Sequence, residues 1–120
     1  MPIALHHERD NLYRVEIRGT FRKAELDRLQ ADVAVEMDRI GPVRLLVVLM
    51  QFEGAEPHAG WNDLTFYVTR GDAIERIAIV GDERWRSESL LFANADLRKA
   101  PVEFFSNNDV DAARAWLSAR

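Results

Sequence analysis

The sequence predicts an α/β domain whose sheet is at least partly parallel, and three consecutive stretches predict it. VRLLVVLMQFEG (43–54) and ERIAIVGDERW (75–85) hold apolar runs of strand length, and GWNDLTFYV (60–68) between them reads as a helix. A strand, a helix and a strand in that order form a crossover unit, which joins parallel strands. Each run ends in a turn that opens a helix. Those turns carry no nucleophile with a base, no metal-ligand cluster and no glycine-rich phosphate cradle. The reading therefore leans toward a binding or regulatory module and away from an enzyme.

A chain of 120 residues suits one domain with one core, so 1–120 is read as a single domain. Hydrophobic residues at 48% and charged residues at 30% are an ordinary globular balance. No segment approaches the ~20 unbroken apolar residues that a membrane helix needs. The opening MPIALHHERD turns charged early, unlike a signal peptide. There is no cysteine, which excludes disulfides and thiolate chemistry and fits a reducing cytoplasm. A net charge of −4 argues against a nucleic-acid partner, whose phosphates need a basic patch.

Along the chain, 3–7 and 12–18 read as an antiparallel hairpin around HERDN. Tyr13, Val15 and Ile17 alternate with Arg14, Glu16 and Arg18, so the second strand has one buried and one wet face. In 22–40 the apolar Leu26, Leu29, Val33, Met37 and Ile40 recur at helical steps. Thr20 is the expected cap, and Gly41-Pro42 ends that helix. The strand at 43–49 lacks alternation, which places it centrally with both faces covered, and 76–80 is similar. The stretch 50–60 reads as a loop. Helices are expected at 60–70, from Asp82 to about 94, and at 109–119, the last capped by Asn108 or Asp109 with Val110, Ala113 and Leu117 inward. VEFF (102–105) is a short strand. The order is ββαβαβαβα, with right-handed crossovers in its parallel part.

The pieces VEIRG (15–19), LLVVLMQFEG (45–54), Trp61 with Asp63, ERIAIVGDERW (75–85), VEFF (102–105) and AARAWL (112–117) resemble, in this order, the SpoIIAA-like family, a branch of the STAS domains. The resemblance implies a five-stranded mixed sheet, its N-terminal strand antiparallel and the rest mostly parallel, with four helices. It also implies a small bacterial cytoplasmic protein without a cofactor. Anti-sigma factor antagonists of the wider group carry a phosphorylated serine at the start of the second helix. This chain reads QFEGAEPHAGWNDL there, a stretch without a serine. Thr65 is the nearest hydroxyl and is expected inside the helix, away from the N–H groups that favour a phosphate. The branch has also been likened to CRAL-TRIO lipid carriers, which suggests an apolar ligand or a membrane surface.

The aromatic residues of the second and third helices are the candidate site. A helical wheel puts Trp61, Leu64, Thr65 and Val68 on one core-facing side and leaves Phe66 and Tyr67 on its flanks. In the third helix Trp85 and Phe92 share a face and Leu91 lies on another. Neighbouring strands make neighbouring helices, so Trp61, Phe66, Tyr67, Trp85, Leu91 and Phe92 are expected to form one apolar groove. Asp63, Arg70, Arg84 and Arg86 are its expected polar groups. The reading that follows is contact with a partner protein or a second copy of the chain through this face of the second and third helices; the alternative is a carrier or sensor of a small lipid-like ligand. Arg84, Arg86, Arg98 and Lys99, diluted by Glu83, Glu88 and Asp96, give at most weak contact with anionic lipid. His6 and His7 are strand neighbours on opposite faces and make no metal site. His58 with Glu53 and Glu56 reads as a solvated loop, and the turn Gly81-Asp82 as a plain strand-to-helix turn.

Overall fold

The computed structural model describes residues 3–57 and 64–119. Its elements are β1 (Ile3–Arg9), β2 (Leu12–Phe21), α1 (Lys23–Ile40), β3 (Val43–Ala55), α2 (Thr65–Arg70), β4 (Ile74–Gly81), α3 (Arg86–Phe92), β5 (Val102–Ser106) and α4 (Val110–Ser118). The strands lie in chain order in one five-stranded sheet. β1 runs antiparallel to β2, and every later pair is parallel. The predicted order and the mixed sheet are both found.

β3 lacks alternation because each of its faces meets a different core. Leu45 and Leu49, with Ile77 and Ile79 of β4 and Tyr13, Val15 and Ile17 of β2, pack against Val33 and Met37 of α1. Phe66 and Leu90 join that cluster from the α2 and α3 side. Leu46, with Ala78 and Val80, faces the other way and meets Ala113 and Leu117 of α4. The sheet is thus covered by α1, α2 and α3 on one face and by α4 on the other.

Two buried-face arginines fix α4. Arg44 Nη1 donates to the carbonyls of Leu117 and Ala119, the latter at 2.6 Å, and Arg76 Nη1 donates to that of Trp116 at 2.6 Å. The Arg76 guanidinium also lies 5.3 Å from the Trp116 ring centroid. The last carbonyls of a helix lack partners within it and carry the negative end of its dipole, so cations suit that end. Midway along the helix, Arg114 grips Glu8 of β1 at 3.1 Å, and Arg14 reaches the same carboxylate at 3.0 Å.

Several boundaries differ from expectation. Thr20 does not cap α1, because β2 continues through Phe21 with Thr20 paired to Gly54. Arg22 is the N-cap, and the Glu25 carboxylate reaches back to its N–H at 3.0 Å. The expected loop 50–60 begins as strand, since β3 runs on to Ala55 through two bulges. The third helix is not continuous. Asp82 Oδ1 accepts from Arg84 N at 3.1 Å to open a 3-10 turn (Glu83–Trp85), and α3 starts after it. A further 3-10 turn (Asn107–Asp109) precedes α4, where the Asp109 carboxylate accepts from the Ser106 hydroxyl at 2.9 Å.

Leu46 is fully buried between β3 and α4, so Leu46→Ala is expected to lower unfolding stability by about 2–5 kcal/mol in a urea titration. A pH test follows from Glu8. Hydrogen bonding from Arg114 leads the effects that hold its carboxyl below the ordinary 4.5. A carboxylate depressed on folding stabilises above its unfolded value and loses that contribution as pH falls through the folded one. Melting temperature is expected to drop below pH 4.5 more steeply in the wild type than in Glu8→Gln.

Candidate functional site

The register of β3 sets the floor of the site. Arg18 pairs with Met50 but Gly19 pairs with Phe52, which leaves Gln51 as an extra residue, and Gln51 takes φ 51°. A bulge shifts the alternation by one residue. Phe52 therefore joins Leu45, Val47 and Leu49 on the α1–α3 face, where even-numbered positions earlier in the strand face α4. Gly54, at φ 100°, passes under Trp85, whose ring is 3.5 Å from where a Cβ would stand. Trp85 also meets Phe52 edge-on, with centroids 4.9 Å apart.

Above this floor lies a cavity of about 490 Å³. Leu45, Val47, Ile77 and Ile79 form its base, Leu29 and Val33 of α1 one wall, and Phe66, Tyr67, Leu91 and Phe92 the opposite side. Its polar lining is sparse: Gln30, Ser89, Asn94 and Arg98 stand among mostly apolar side chains. α2 is tethered at both sides of this space. The Tyr67 hydroxyl donates to the Leu97 carbonyl, and Arg70 Nη1 bonds Asp38 of α1 at 3.0 Å.

Four of the six predicted site residues, Phe66, Tyr67, Leu91 and Phe92, thus stand around one cavity. Trp61 lies outside the described residues, as do Asp63 and His58. Trp85 is displaced from the expected groove: the bulged end of β3 takes its ring, and it does not line the cavity. The helical-wheel face of α2 is inverted. Val68 is 75% exposed and Leu64 38%, while Phe66 and Tyr67 turn inward. A six-residue helix has too little length to fix a stripe, and two aromatic rings remove more apolar area from water than a valine does. Leu91 stands at the cavity rim, 75% exposed.

The expected polar groups are also reassigned. Arg70 holds Asp38, Arg84 lies over the Trp85 ring at 4.8 Å, and Arg86 is paired with Glu83 at 2.8 Å. Arg98, expected on a basic surface, instead turns into the cavity. Thr65 is the first residue of α2 and not an interior one. Glu56, expected in a solvated loop, accepts from Lys23 N at 2.9 Å at the start of α1.

A second, more open groove of about 510 Å³ lies between β1 and α1. Two of its polar groups are already bonded, Tyr13 donating to Glu36 at 2.6 Å, and Arg39 beside the groove donates to Glu36 at 2.8 Å. Among the described residues no three histidine or carboxylate side chains gather as metal ligands. Nor is any helix among them long and apolar enough to cross a membrane.

A mostly parallel five-stranded sheet covered by helices on both faces, with an apolar cavity beneath a short helix, defines a small α/β domain. The SpoIIAA-like family model matches residues 12–118, and the chain belongs to the SpoIIAA-like family. An uncharacterised protein of Shewanella loihica with a SpoIIAA-like fold superposes with a TM-score of 0.70 at 21% identity, over 96% of this chain and 91% of that one. The anti-sigma factor antagonist SpoIIAA in its unphosphorylated form superposes with a TM-score of 0.63 at 8% identity, over 95% and 97%. No curated protein matches the sequence.

Tyr67 is the latch that the geometry singles out for α2. In Tyr67→Phe, α2 amides are expected to exchange with deuterium about threefold to tenfold faster, while those of β3 and β4 keep their rates.

Proposed function

We propose that this domain is a non-enzymatic binding module of the regulatory kind that takes a small apolar ligand into the cavity between its sheet and α1–α3. The cavity itself carries the reading. Its volume of about 490 Å³ falls within the ~300–1,000 Å³ of small-molecule sites, and its walls are apolar with few polar groups. Likeness in fold to an anti-sigma factor antagonist supports a regulatory output. A ligand under α2 would set how firmly α2 sits, and α2 is the natural reporter of occupancy to anything outside.

A second reading rests on a separate observation. Val68, Leu91 and Leu97 leave 75%, 75% and 55% of their surface exposed on α2, α3 and the connection after it. Large apolar side chains exposed on these elements suit a partner protein or a second copy of the chain.

Native mass spectrometry of the gently purified protein separates these readings. An added mass of lipid size, lost on harsher activation, is expected for the ligand reading. A clean dimer without added mass supports the second reading. Val47 is half-buried at the cavity floor, and Val47→Trp is expected to fill the space, abolish the added mass and cost about 1–3 kcal/mol of stability. Retention of the mass in that folded variant would sink the cavity as its location.

A further inference from the structure

We propose that the cavity's ligand is an aliphatic monocarboxylate, its chain on the floor of Leu45, Val47, Ile77 and Ile79 and its carboxylate on the guanidinium of Arg98. This rests on the cavity reading above and names the chemical class of the ligand. Arg98 comes from the connection between α3 and β5. Its Nε is committed, donating to the Ala93 carbonyl at 2.7 Å, and its guanidinium lies 5.3 Å from the Tyr67 ring centroid. Nη1 is buried and has no hydrogen-bond partner among the described residues. Nη1 lies beside Gly71, 3.6 Å from where a Cβ would stand there.

The arginines paired in this structure show what is missing. Arg39, Arg86 and Arg114 each bond a carboxylate, of Glu36, Glu83 and Glu8, and each is raised above the ordinary guanidinium value by that bond. Arg98 moves the opposite way: burial pulls it down, and only Tyr67 opposes the shift. No aspartate or glutamate lines the cavity among the described residues. A buried donor without an acceptor is costly, and a guanidinium stays charged, so an acceptor brought by the ligand would gain more than at a surface. A carboxylate presents two oxygens to the planar fork, which matches its geometry better than a hydroxyl does. The apolar floor of Leu45, Val47, Ile77 and Ile79 suits an aliphatic chain. The ligand is thus read as charged at one end and apolar along its length.

The test is isothermal titration of the whole chain at pH 8 with dodecanoate and with dodecanol, each below its aggregation limit. Dodecanoate is expected to bind about tenfold to a hundredfold more tightly than dodecanol. In Arg98→Met, checked for its fold by circular dichroism, the two are expected to bind alike, while Val47→Trp binds neither. Equal affinity of the wild type for acid and alcohol would overturn the carboxylate assignment and leave the apolar cavity standing. Failure of the wild type to bind either would remove the cavity reading as well. Should Arg98→Met fail to fold, the acid-to-alcohol ratio of the wild type still decides the matter.

Discussion

Burying β3 on both faces sets what every neighbouring element has to supply. Side chains of a strand in that position point alternately into two separate cores, so each core needs its own cover. On the Leu46 side α4 provides it, through Ala113 and Leu117. On the Leu45 and Leu49 side α1 provides most of it, through Val33 and Met37, and α2 and α3 complete the rest. The second cover is spread over three helices instead of one, and the cavity lies where their contributions meet.

How much of this was legible follows from the length and periodicity of each segment. α1 is long enough for its apolar steps to name the inward residues, and the two-sided run from Leu45 to Leu49 announces a central strand. The family resemblance reached the same sheet by another route. The site was harder. α2 has six residues, and there the size of Phe66 and Tyr67 overrode the wheel that placed Val68 inward. The bulge at Gln51 could not be anticipated from composition, since a non-glycine residue at positive φ gives little local signal. It moved Phe52 to the cavity face and drew Trp85 away from it. Arg98 was visible only as one of several basic residues, because arginine is usually exposed and the 93–101 connection has no period to read.

The charged residues divide along the same lines. Arg44 and Arg76 serve the carbonyl end of α4, and Arg114 with Arg14 ties that helix to β1 through Glu8. These contacts fasten one cover of the sheet firmly. The other cover is fastened lightly at α2, by a tyrosine hydroxyl and an exposed ion pair of the kind worth about 0–1 kcal/mol. The fold therefore has a rigid side and a side with a weaker closure, and the cavity lies under the weaker one.

That asymmetry has a kinetic meaning. Local opening of a short, lightly held helix needs less free energy than unfolding the sheet beneath it. On the proposed ligand reading, traffic into and out of the space under α2 would run on the clock of that helix alone, while β3, β4 and α4 keep their arrangement. Tightness for such a proposed guest and stability of the fold would then be separately adjustable: substitutions at Tyr67, Arg70 or Asp38 would alter how firmly α2 sits without touching the residues that hold the domain together.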